Sequence, residues 1–169
     1  EPLRRALTQA FAEAGDNAPA AAPSPSEWER LARLSGGSVR RALSLHAAKG
    51  LALQDKITAL LGGLPSVDWA AAHALGDELA GQAADQRYEL FFELLTGAIG
   101  RLIAVEARGE GLPDEVALAK RLIGPARLAT WAGLWERVAA DKADVDALNL
   151  DRKALILNVF SKLEAASRA

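Results

Sequence analysis

Ser38, Val39, Arg40 and Arg41 make up the stretch of this chain best suited to chemistry. Gly36 and Gly37 end one helical pattern, and Ser38 is a good N-cap for the next, so Val39, Arg40 and Arg41 take its first three positions. A helix N-terminus carries about +0.5 of a charge and up to four unpaired N–H groups, and Asp or Glu is the stabilising residue there. Two arginines have the wrong sign. Either carboxylates neutralise them, with Glu27 and Glu29 on the preceding helix available, or the helix start meets an anion, most often a phosphate.

The other reactive side chains suggest less. His46 and His73 are isolated in sequence, with no metal-ligand spacing around either, so each reads as a half-buried or surface histidine and no metal site is expected. Ser35, Ser38 and Ser44 have no nucleophile context, and no catalytic residue is expected. There is no G-x-x-x-x-G-K-[ST] phosphate loop, and no strand ends in the acidic pair that holds Mg²⁺ in ATPases, so the chain by itself reads as non-catalytic and without a cofactor. Trp131 and Trp135 invite a reading as a base-stacking platform, but their i, i+4 spacing on an apolar stripe favours core packing. The acidic cluster from Asp141 to Asp146 reads as a solvated loop between helices. The absence of cysteine excludes disulfides, thiol nucleophiles and thiolate metal sites.

Helices must position these residues. Leu3, Leu7, Ala10, Phe11 and Ala14 predict an amphipathic helix over residues 3 to 14, ended by Gly15 and followed by an Ala/Pro-rich connector from Asp16 to Pro23. Ser24-Pro25-Ser26-Glu27 fits a capping box that opens a short helix with Trp28, Leu31 and Leu34 inward. The Ser38 helix is expected to run to Lys49, with Gly50 as its stop. Further helices are expected over Asp55 to Leu61, ended by Gly62-Gly63; from a Ser66 cap, with Asp68 in the first turn, to Gly81; and over Asp85 to Arg108, the longest pattern. Others are expected from Pro113; after Gly124-Pro125, with Leu128, Trp131, Trp135 and Val138 in register; and after Asn149 or Asp151. In the Asp85 helix, Tyr88, Phe92, Leu95, Ile99, Leu102 and Val105 form a stripe widened by Phe91, Leu94 and Ala98, which predicts burial on more than one side. No segment has a convincing strand period, and no internal repeat appears. The expected fold class is all-α.

Composition agrees. Half of the 169 residues are apolar but only 5% are aromatic, and the alanine-rich remainder favours closely packed helices over a sheet. The length suits one ordinary domain or two small ones. A net charge of −2 gives no general field for nucleic acid, so any basic site must be local. No apolar run approaches the roughly 20 residues that span a bilayer, and no signal peptide is expected. The chain starts within a helical pattern, so the expectation is a piece of a larger soluble, cytoplasmic protein without membrane partners.

The segment Gly37-Ser38-Val39-Arg40-Arg41-Ala42-Leu43 resembles the sensor 2 helix of the AAA+ clamp-loader ATPases, whose pattern is Gly-Ser-x-Arg-x-Ala-Leu. In that family the sensor 2 arginine leans from a three-helix lid onto nucleotide phosphates held by the core domain, and Arg40 occupies the matching position. Trp28 to Ser35 is similar to the short lid helix before that turn. Leu148-Asn149-Leu150-Asp151-Arg152-Lys153-Ala154-Leu155, running on to Phe160 and Leu163-Glu164-Ala165-Ala166, resembles the last helix of the delta prime subunits of bacterial DNA polymerase III. So does Leu60-Leu61-Gly62-Gly63-Leu64-Pro65 before Asp68-Trp69.

The resemblance covers most of the chain, although only the Gly-Ser-x-Arg segment is a specific motif. It implies a three-helix AAA+ lid over residues 1–51, with the sensor 2 helix at about 38–49, and a collar of five to six helices over 52–169. It implies a part in assembling the pentameric loader that places the sliding clamp on primed DNA in replication. The partners would be the gamma/tau and delta subunits, with clamp and DNA indirect, and ATP would be bound only in the full complex. Ser38, Arg40 and Arg41 are then the candidate phosphate-sensing residues. The chain departs from the family in one respect: delta prime sequences often place glycine where Arg40 stands and keep arginine where Arg41 stands. Contact with phosphate and pairing with carboxylates of a neighbour both remain open at this point. So do two other readings, the same region of the gamma/tau ATPase and an unrelated helical protein-binding adaptor.

Overall fold

A computed structural model describes residues 23–169; the helix expected over residues 3 to 14 and the connector from Asp16 to Ala22 lie outside the described residues. Within that range every regular element is helical. The α-helices are α1 (Pro25–Leu34), α2 (Val39–Ala47), α3 (Gly50–Gly63), α4 (Trp69–Ala80), α5 (Asp85–Arg108), α6 (Pro113–Leu122), α7 (Gly124–Leu148) and α8 (Arg152–Arg168), with a short 3-10 turn at Gln82–Ala84. The chain is all-α, as its composition and periodicity require.

Local chemistry sets most of the boundaries. At the start of α1 the Ser24 hydroxyl accepts from the Glu27 N–H at 3.4 Å, and the Glu27 carboxylate accepts from the Ser24 N–H at 2.8 Å, which completes the capping box. The α1–α2 junction turns on Gly36 and Gly37, at φ +57° and +87°, a left-handed region where a Cβ is strained. The stop after α2 differs from expectation. Lys49, not Gly50, takes the left-handed conformation, at φ +53°, and α2 ends at Ala47. Gly50 instead opens α3, which runs 14 residues rather than over Asp55 to Leu61 alone. Burial of Leu51, Leu53, Ile57, Leu60 and Leu61 rewards that extension, and Gly62 and Gly63 finish the helix instead of following it.

The start of α4 is also corrected. Asp68, not Ser66, is its N-cap, with the carboxylate accepting from the Ala71 N–H at 3.0 Å. The residues before it are held in place by other bonds: Ser66 N–H reaches Gly63 O at 3.0 Å, and Val67 N–H reaches the Glu164 carboxylate at 3.2 Å. A larger correction concerns the acidic cluster. Asp141 to Asp146 is helical, within an α7 of 25 residues that exceeds α5, at 24, by one. Lys142 bonds Asp146 at 2.6 Å one turn on, and Asp141 pairs with Lys162 of α8, so two of the three acids are neutralised, one locally and one across helices. The helix stops at Asn149, left-handed at φ +51°, and Asp151 caps α8 through the Ala154 N–H at 3.0 Å.

The chain forms two compact units, one ending at Asp55 and one beginning at Lys56, so the division falls within α3. In the described part of the first, α1 packs on α2 around Leu31, Ala42 and Leu45, with Trp28 and Leu34 half-buried, and Arg30 pairs with Asp55. In the second, α5 packs on α7, α7 on α8, α8 on α4 and α4 on α5, which closes a four-helix bundle; α6 lies against α5 and α7. All nine apolar residues read onto the α5 stripe are buried, as are Leu155, Ile156, Val159, Phe160 and Leu163 of α8. Phe91 stacks edge-on to Phe92, with ring centroids 5.0 Å apart, and lies 6.4 Å from Phe160.

Candidate functional site

The site is the start of α2. Its nine residues are held down by Ala42 and Leu45, both buried, which leaves Arg40 and Arg41 exposed on the other side. The turn before it is closely bonded: Gly36 N–H to Arg33 O at 3.3 Å, Gly37 N–H to Ala32 O at 3.4 Å, and Ser38 N–H to Ser35 O at 3.1 Å. Ser35, itself buried, ties its hydroxyl to Ala32 O at 3.1 Å. Ser38 then caps the helix, its Oγ accepting from the Arg41 N–H at 3.3 Å, and its carbonyl accepts from Ala42 N–H at 3.0 Å. The N–H groups of Val39 and Arg40 are left with no acceptor inside the helix, and no acid stands in the first turn.

Of the carboxylates that the sequence offered as partners for the arginines, Glu27 is engaged at the cap of its own helix. Glu27 accepts from the Ser24 N–H and the Ser24 hydroxyl, which, with the nearby charges of His46 and Arg30, hold its carboxyl below the usual carboxylate range. Arg40 makes no ion pair with either Glu27 or Glu29 among the described residues. One feature went unread in the sequence: from Arg33 to Gln54 there is no acid at all, while Arg33, Arg40, Arg41 and Lys49 are basic. That run extends the positive charge well beyond the two arginines, and a charge count over the α1–α2 segment would have found it.

This arrangement can recognise an anion but holds no transfer chemistry. Ser38 is occupied as a cap. His46 lies in the last turn of α2, six residues and about 9 Å along the axis from Arg40 at the usual helical rise, and His73 is exposed on α4. Among the described residues no group of three or more His, Asp or Glu side chains is placed to hold a metal ion. The tryptophan pair divides. Trp131 is fully buried in the core, whereas Trp135, also expected there, is 42% exposed; its indole N–H donates to Thr96 O at 3.0 Å, beside Gly100.

A second polar constellation, which the sequence reading did not anticipate, lies over a buried tyrosine at the edge of the bundle. Tyr88 is fully buried, with the Arg152 guanidinium 4.5 Å and the Lys142 ammonium 5.5 Å from its ring centroid. Arg152 bonds Asp85 at 2.5 Å, and that bond, against a small loss from burial, raises its pKa. Burial opposes the charge of Lys142, but its bonds to Asp146 and Glu89 outweigh this and its pKa lies above the usual value. These groups join α5, α7 and α8 and are architectural, since each cation already has its carboxylate. Among the described residues no helix is long and apolar enough to cross a membrane. Compared with known proteins, the chain matches no family model, no curated protein and no solved structure.

Proposed function

We propose that this chain is the lid and collar region of an AAA+ clamp-loader subunit of the delta prime type. It acts in the cytoplasm to help assemble the loader that places a sliding clamp on primed DNA. The observation that carries the reading is the Gly36-Gly37-Ser38 turn, which presents Arg40 at the second position of α2, exposed and without an ion pair among the described residues. The N-terminal dipole, the N–H groups of Val39 and Arg40, and a planar guanidinium together favour phosphate oxygens. In this role α2 supplies one half of an anion site, the nucleotide being held by a core domain. The bundle α4–α5–α7–α8 supplies the rigid body that packs against the gamma/tau and delta subunits. Clamp and DNA are engaged indirectly, and ATP belongs to the complex, not to this chain.

The arginine at position 40, where delta prime sequences often carry glycine, favours a second reading: the same region of the gamma/tau ATPase, with Arg40 a working nucleotide sensor. One experiment tests the assignment and separates the two. The protein carrying these residues is mixed with purified gamma/tau and delta subunits, and assembly and ATP-dependent clamp loading are measured with and without Arg40→Ala. Assembly with loading lost in the variant supports a sensor role. Assembly with loading intact supports a delta prime role in which Arg40 pairs with carboxylates of a neighbour. Failure to assemble at all overturns both and leaves a helical adaptor.

A further inference from the structure

We draw no further inference here: the strongest candidate, the apolar cleft of about 300 Å³ between α3 and α4 lined by Ala59, Leu60, Ala71, Ala74 and Leu75, is an unpartnered apolar face, and nothing in the structure shows what covers it.

Discussion

Tyr88 gives the sharpest test of the bundle, because it is the only tyrosine in the chain and every tyrosinate signal belongs to it. Its ring is fully buried and its hydroxyl has no hydrogen-bond partner among the described residues. Burial, helped by the nearby Asp146 carboxylate and resisted by Lys142 and Arg152, pushes the phenol pKa up to about 12. The unfolded chain loses that proton near pH 10, whereas the folded protein keeps it until about pH 12. Between these values the unfolded state binds fewer protons, so stability falls as pH rises, by about 1.4 kcal/mol per pH unit and on the order of 2–3 kcal/mol in all. Below pH 10 none of this loss occurs. Tyr88→Phe removes both the titration and the unbonded hydroxyl while leaving the ring beneath its two cations. The variant is therefore expected to be more stable at neutral pH by about 1–3 kcal/mol, the cost of burying an unpaired polar group. Its advantage should widen above pH 10. The assay is a near-ultraviolet absorbance titration of the wild-type protein, together with urea unfolding of both proteins from neutral to alkaline pH. A phenol that titrates near 10, or a phenylalanine variant less stable than wild type at pH 7, would refute the reasoning, since either means that the hydroxyl is solvated or bonded.

Four further outcomes are expected. Ser38→Ala should cost about 1 kcal/mol through loss of the bond to the Arg41 N–H, and Ser38→Gly only a few tenths, as read by urea unfolding. Gly37→Ala should cost about 1–2 kcal/mol, because φ +87° strains any residue with a Cβ; an unchanged midpoint would mean that the turn has another accessible geometry. Arg121→Ala removes the guanidinium that bonds the carbonyls of Gly62, at 2.7 Å, and Leu64 at the end of α3, so hydrogen exchange should quicken in the last turn of α3 and change little in α5. Arg40→Ala should leave stability within about 0.5 kcal/mol, as for an exposed side chain with no ion pair among the described residues; a marked drop in melting temperature would point to a structural role instead.

The fold was largely legible because long apolar stripes at helical spacing leave few alternatives. The span of α5, Asp85 to Arg108, could be read directly, since ten of its side chains are buried and the pattern recurs for almost seven turns. The errors came where a boundary rests on one backbone angle. Glycine is the default left-handed residue, so Gly50 looked like the stop after α2, yet Lys49 adopts that conformation and frees Gly50 to begin α3. At α4 two good caps stood two residues apart, and only the tertiary bond from Val67 N–H to Glu164 decides for Asp68. The acidic stretch of α7 was misread because the acids are visible in sequence, while Lys162, the partner of Asp141 on α8, lies 21 residues away. Trp135 shows the converse: helical register put it on the stripe of Trp131, but the apolar face of α7 is too narrow there, and the indole lies across Thr96 and Gly100 at the surface.

At the start of α2 the cap, the glycine turn and the arginine positions could all be read in sequence; the state of the possible partners could not. How the chain treats its other arginines gives that site its meaning. Arg127, in the first turn of α7, donates to the carbonyls of Ile123, Arg121 and Ser167, and Arg121 to those of Gly62 and Leu64, so both guanidinium groups meet carbonyls at the C-terminal ends of other helices, where the dipole favours a cation. Arg30, Arg87, Arg152 and Arg168 each meet a carboxylate. Arg40 is placed at the opposite pole, against the dipole, with Glu27 already bonded to Ser24. That placement disfavours the isolated helix by a few tenths of a kcal/mol up to about 1 kcal/mol, the usual size of a charge at the wrong terminus. An anion docked on the Val39 and Arg40 N–H groups reverses the sign of the interaction, because the arginine then faces a negative charge instead of the positive end of a helix. Melting the chain in the presence of inorganic phosphate or ATP should therefore stabilise the wild type more than Arg40→Ala if α2 alone holds part of the anion. It should stabilise neither if the other half of the site must come from a partner subunit.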